Sequence, residues 1–153
     1  MLSPVPPEII DLARCIAAEH ALDPALVCAV IEQESAWDPW AVRYEPGFLS
    51  RYVAPLYTAG KLSATEAYTR SMSWGLMQLM GHVAREFGFE DASLAELCDP
   101  ATGVEFGCRV LAARLKRARG DVSAALLAWN GGANPNYAAE VLARTRNYSS
   151  HSA

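Results

Sequence analysis

Seven consecutive apolar residues, Ala25 to Ile31, run without a break into Glu32, Gln33, Glu34 and Ser35. Asp23 followed by Pro24 predicts the helix start, an N-cap with proline at the first helical position. A helix that is apolar on nearly every side has to be buried, so the rest of the chain must pack around it. Residues three, four and seven apart share a helix face. Glu34 therefore lies on the face of Val27, Val30 and Ile31, whereas Glu32 falls beside Ala25, Cys28 and Ala29. Partial burial disfavours a charged carboxylate and raises its pKa. That suits a group that must hold a proton near neutral pH and donate it. The bland alternative for Glu34 is a helix-end residue turned to solvent or paired with an arginine.

At 153 residues the chain fits one domain, residues 1–153, and a domain of this size buries roughly two thirds of its unfolded surface without staples. Thirteen Lys and Arg against 17 Asp and Glu give a formal charge of −4, with no basic block. Nucleic acid is therefore not an expected partner. The start, MLSPVPPEII, has neither a basic beginning nor an uninterrupted apolar core, so no signal peptide is expected. The apolar run at Ala25 is far short of a membrane span. Cys15, Cys28, Cys98 and Cys108 lack CxxC spacing and His20, His82 and His151 are scattered, so no metal site is expected. A bond between Cys98 and Cys108 across Asp99 and Pro100 is left open.

Pro6 and Pro7 open a helix with a stripe at Ile9, Ala13, Ile16 and Ala17 that ends near His20. The Asp23 helix is stopped by Pro39. From Trp40 to about Met72 aromatics alternate with arginines: Trp40, Tyr44, Phe48, Tyr52, Tyr57 and Tyr68 with Arg43, Arg51 and Arg70. Ring faces beside hydrogen-bonding groups suit a sugar-binding wall, and equally suit plain packing of a long excursion. Ser63 with Glu66 predicts a capping box and a helix over 64–71. SWGLMQLMG, Ser73 to Gly81, breaks any clean amphipathic pattern, with Gln78 bracketed by apolar residues, and a helix then runs to Phe87 with Gly88 as its stop. Ser93 with Glu96 predicts another capping box. Asp99 and Pro100 start a helix with Val104, Gly107, Val110, Leu111 and Leu115 inward, ended by Gly120. Gly103 and Gly107 suggest close approach to another helix. Asp121 caps a helix with Val122, Ala125, Leu126 and Trp129 inward. Asn134 and Pro135 open a last helix carrying Tyr137, Val141 and Leu142, with a frayed tail from Ser149. No convincing strand alternation is present, so the fold expected is all-α or mainly α.

Four features then fall in one order: ESAWDP (Glu34 to Pro39), GLMQLM (Gly75 to Met80), AWNGG (Ala128 to Gly132) and an aromatic at Tyr137. In order and type they resemble the soluble-type lytic transglycosylases. These are lysozyme-like helical domains, of the goose-lysozyme type, that cut the glycan strands of bacterial peptidoglycan. The likeness covers Asp23 to about Leu142, with a domain core of about 23–148 and an inserted segment of about 40–72. It implies that Glu34 is the single catalytic acid and that Tyr137 is the tyrosine facing it across the cleft. It further implies that Gln78 and Met80 line the glycan cleft and that Asn130 is the asparagine of the third motif. By the same resemblance, the acid protonates the bond between N-acetylmuramic acid and N-acetylglucosamine with help from the muramoyl acetamido group. It then takes the C6 hydroxyl proton as a 1,6-anhydro ring closes, so no second carboxylate is needed, unlike an ordinary glycosidase. No cofactor is implied, the partner is the peptidoglycan strand, and a monomer is expected.

Three departures stand out. Trp129 replaces the tyrosine usual in the third motif, and its ring also suits plain core packing. About 40 residues separate Glu34 from Gly75, a longer gap than the family's, so 40–72 rebuilds one wall. Whatever polar group the family supplies from that gap has Ser73 as its nearest candidate here. The rebuilt wall also carries Glu45, which either pairs with Arg43 or Arg51 or faces Glu34. At roughly 6.5–9.5 Å from Glu34 it would make the enzyme an inverting muramidase. A non-catalytic peptidoglycan-binding part of a virion or secretion machine is the alternative of another class. A catalytic domain without a leader suits delivery to the wall by a phage or a secretion system.

Overall fold

The computed structural model describes residues 4–149. Helix α2, Pro24–Ser35, is the axis of the molecule: Ala25 to Ile31 are all buried, and Val27 to Ile31 have no exposed surface. The Asp23 side chain accepts from the Ala25 N–H at 2.9 Å, the expected cap. Around α2 pack α1, Pro7–Glu19, and the C-terminal helix, Tyr137–Arg144. Pro39 does not stop α2. The helix ends at Ser35, because Ala36 and Trp37 take left-handed backbone at φ 50° and 66°. Such conformations are costly for residues with a Cβ, and here they turn the Trp37 ring into the core, where it is 7% exposed.

A three-stranded antiparallel sheet follows, in the order β1 (Val42–Tyr44), β2 (Met72–Trp74), β3 (Leu79–Met80), with Val42 opposite Trp74 and Ser73 opposite Met80. No strand was expected, and strands of two or three residues are too short for alternation to show in sequence. Gly75 to Gln78 form the tight turn between β2 and β3, with Gly75 at φ 70° and Gln78 at φ 50°. At the tip, Leu76 and Met77 are each 1% exposed and belong to the main core.

The 40–72 segment carries more helix than its sequence suggests. A helical stretch from Pro46 to Thr58, with α3 (Pro46–Phe48) and α4 (Ala54–Thr58) flanking a π-helical turn at Leu49–Val53, precedes α5 (Ala64–Arg70). Ser63 Oγ accepts from the Glu66 N–H at 3.1 Å. The Glu66 carboxylate instead takes Arg70 and Arg85, so only half of the capping box forms.

Helix α6, Gly81–Glu86, ends at Phe87 with Gly88 at φ 89°. Ser93 caps a 3-10 turn, Leu94–Cys98, through the Ala95 N–H. Asp99 caps α7, Pro100–Arg117, and Asp121 caps α8, Val122–Trp129. The close approach at Gly103 is to the Leu97 carbonyl, in the 3-10 helical segment before α7, whereas that at Gly107 is to the Met77 side chain in the hairpin turn and not to another helix. In α9, Tyr137–Arg144, the residues Tyr137, Ala138 and Val141 are buried, but Leu142 is 39% exposed, contrary to its expected inward place. Tyr148 anchors the chain end, donating to Glu32 Oε2 at 2.6 Å and accepting from Trp37 Nε1 at 2.8 Å. Ser149 bonds back to the Thr145 carbonyl. The rest of the tail expected to fray lies outside the described residues. All four cysteines are free thiols, Cys98 and Cys108 both buried.

The core has two parts. The larger joins α1, α2, the hairpin tip, α7, α8 and α9, and the smaller gathers Trp74, Leu79, Ala84, Phe89, Leu94, Leu97, Cys98 and Val110. Trp129 packs against both.

Candidate active site

A cleft of about 550 Å³ lies against the smaller part of the core, through Leu79 and Val110, with Trp129 on its border with the larger. Glu34 enters it from the last turn of α2. One oxygen, Oε1, accepts from the Tyr137 hydroxyl at 2.6 Å and from Trp129 Nε1 at 3.2 Å. Oε2 has no hydrogen bond with a described residue. Burial pushes the Glu34 carboxyl above the usual glutamate range, partly offset by the Tyr137 and Trp129 hydrogen bonds and the charge of Arg43. Burial and the neighbouring Glu34 drive the Tyr137 hydroxyl far upward, so it stays protonated as a donor. Its ring is 3% exposed. The tyrosine therefore sits beneath the acid, holding it.

Trp129 ends α8, half-buried, and its indole N–H donates to Glu34. It is more than core filling. Asn130 follows at the helix C-cap and lines the cleft. With its amide turned to suit its neighbours, its oxygen accepts from the backbone N–H of Asn134 at 2.8 Å and of Ala133 at 3.3 Å. It thus ties down the glycine-containing loop that leads to Tyr137.

The hairpin forms another wall. Ser73, Gln78 and Met80 all line the cleft. Gln78 Nε2 donates to the Ala41 carbonyl at 2.8 Å and to the Gly75 carbonyl at 2.9 Å, and Ser73 Oγ donates to Gln78 Oε1 at 2.8 Å. Both amide hydrogens are used within the protein, so the side chain braces β1 against the turn and offers a ligand only spare acceptor capacity. Those bonds also hold Gln78 in its left-handed backbone conformation. Ser35 Oγ donates to the Leu76 carbonyl at 2.8 Å, joining the hairpin tip to the turn that carries Glu34.

Glu45 lines the same cleft, with Arg43 Nε donating to its Oε1 at 2.7 Å. Of the aromatics in 40–72, Phe48 and Tyr52 reach the cleft, their rings 4.9 Å apart. Trp40 is 77% exposed, and it, Tyr44, Tyr57 and Tyr68 are not among the lining residues. The sequence reading missed Arg114, which lines the cleft from α7 with a buried Nε that has no hydrogen-bond partner among the described residues. The signal was present: Arg114 is four residues after Val110 and seven after Gly107, on the buried face of its helix.

A family model for the transglycosylase SLT domain matches residues 11–151, nearly the whole chain. The chain belongs to this family of lytic transglycosylases acting on peptidoglycan, lysozyme-like helical domains as the described structure is. No solved structure matches it. Among the described residues no helix is long and apolar enough to cross a membrane.

Proposed function

We propose that this chain cleaves the bond between N-acetylmuramic acid and N-acetylglucosamine with Glu34 alone as acid and then base, releasing a 1,6-anhydro-muramoyl end. The observation that carries the reading is the asymmetry of the Glu34 carboxyl: Oε1 takes two donors and Oε2 is left for the substrate. In the first step Oε2 gives its proton to the glycosidic oxygen. The C1–O bond breaks as the muramoyl acetamido oxygen closes onto C1. In the second step the Glu34 carboxylate takes the C6 hydroxyl proton. O6 then bonds to C1, and the acetamido oxygen leaves with its electron pair.

The raised Glu34 pKa favours the first step, while the Tyr137 and Trp129 donors stabilise the carboxylate that the second step needs. Tyr137 is a positioning residue in this reading. Gln78 and Ser73 fix the hairpin wall, Met80 gives it an apolar face, and Asn130 fixes the loop opposite. Glu45 is engaged by Arg43 at 2.7 Å, and this reading assigns it no part in the chemistry.

The test is mass spectrometry of fragments released from purified peptidoglycan. Anhydro-ended muropeptides, one water lighter than hydrolysed ones, are expected, and Glu34→Gln should lower their release by several powers of ten. Reducing-end products would instead make Glu45 the second carboxylate of a muramidase. No release from a folded sample would return the chain to a non-catalytic wall-binding role.

A further inference from the structure

We propose that Arg114 is a specificity residue, binding a carboxylate carried on the 3-O-lactyl arm of a muramoyl unit in the cleft. The inference rests on the glycan-cleaving reading above and adds what makes the cleft prefer an acidic sugar chain to a neutral one.

Two arginines line the cleft, Arg43 and Arg114. Arg43 already has a carboxylate partner, Glu45 at 2.7 Å. Glu34 is neutral when poised as an acid. Among the described residues Arg114 has no carboxylate partner, and its buried Nε has no hydrogen bond. A buried donor without a partner is costly, and a guanidinium is fully charged at any working pH. Elsewhere in this protein partly buried arginines are satisfied: Arg85 holds Glu66 and the carbonyls of Phe89 and Asp91, and Arg144 holds Glu32 and Gln33. The exception stands on the buried face of α7, where Val110, also lining the cleft, lies one turn before it.

The planar fork of an arginine matches a carboxylate. The chain's formal charge of −4 opposes an anionic polymer at long range, so attraction has to be local. In peptidoglycan the muramoyl unit is the sugar that bears carboxylates, either on the bare lactyl group or along the attached stem peptide. A glucosamine-only chain has neither.

The experiment measures saccharide binding by calorimetry in a Glu34→Gln background, where nothing is cleaved. The ligands are chitotetraose, a peptide-free muramoyl-glucosaminyl tetrasaccharide, and the same tetrasaccharide bearing stem peptides. With Arg114 present, the acidic saccharides should bind about ten-fold more tightly than the neutral one, in keeping with one charge-assisted contact. Arg114→Met should collapse that ratio toward one, and Arg114→Lys, which keeps the charge without the fork, should hold an intermediate value. Selectivity toward the peptide-free strand alone identifies the lactyl carboxylate, and toward the peptide-bearing strand alone the stem; both support the proposal. A ratio that survives Arg114→Met overturns it while leaving the glycan cleft intact. Failure to bind any of the three saccharides overturns both readings.

Discussion

Glu32 and Glu34 leave α2 two positions apart, and their surroundings pull their carboxyl groups in opposite directions. Burial raises both, but at Glu32 the hydrogen bonds from Tyr148, Asn147 and Arg144 outweigh it and leave the pKa lowered. At Glu34 burial prevails. The folded state thus keeps the Glu34 proton at a pH where the unfolded chain has lost it, so stability falls as pH rises across that interval. Glu34→Gln should remove this penalty, about 1.4 kcal/mol for each unit by which the pKa is raised. Its melting temperature should therefore exceed the parent's at pH 8 by more than at pH 4.

Tyr137→Phe deletes a donor that lowers the Glu34 pKa. The alkaline limb of kcat/KM should move to higher pH, with roughly a ten- to hundred-fold loss in kcat. An unmoved limb would mean that the hydroxyl acts on substrate instead. Helical phase placed Glu34 on the face of Val27, Val30 and Ile31 but left a solvent-facing or ion-paired helix end open, and the resemblance chose between them. Tyr137, 103 residues away, was brought to Glu34 only by likeness, and the Trp129 indole donor, 95 residues away, was not read at all.

The helices with aspartate caps were readable at the level of elements: Asp23, Asp99 and Asp121 each accept from a backbone N–H of the first turn, at 2.9 to 3.0 Å. The hairpin was not, since Leu76 and Met77 carry an apolar signal that belongs to the core rather than to a strand face. Its turn is tightly enclosed. A Cβ at Gly75 would lie 2.5 Å from the Leu97 carbonyl oxygen, on a backbone already at φ 70°. Gly131 has a similar φ of 71° with open space around it. Chemical denaturation should therefore show Gly75→Ala losing about 3 kcal/mol or more, the sum of strain and clash. Gly131→Ala should lose about 1 kcal/mol, the strain alone. Equal losses would mean that the turn can shift away from Leu97.

Across the whole molecule, the described chain end is fastened to the same helix that carries the acid, through Tyr148 and Arg144 on Glu32. Because the Glu32 pKa is lowered, the stability it contributes is present above the ordinary glutamate range and is lost as pH falls through its folded value. Tyr148→Phe should flatten the acid side of the stability profile, measured as melting temperature against pH, and leave the alkaline side to Glu34. The Asp23, Asp99 and Asp121 starts made the helical frame legible. The excursion at 40–72 was read only in outline, because exposed aromatics carry no period.

That excursion is fastened unevenly. Between Pro46 and Thr58 only Val53 is buried, whereas the hairpin wall shares its apolar tip with the main core. Amide exchange should therefore be graded around the cleft: near the global limit at Leu76 and Met77, and orders of magnitude faster from Pro46 to Thr58. With that gradient, one side of the cleft would open only with the whole domain, while the other would open by itself. An opening of that kind would admit a strand cross-linked into a mesh sideways, past the loosely held side, without endwise threading, and the exchange gradient is its test.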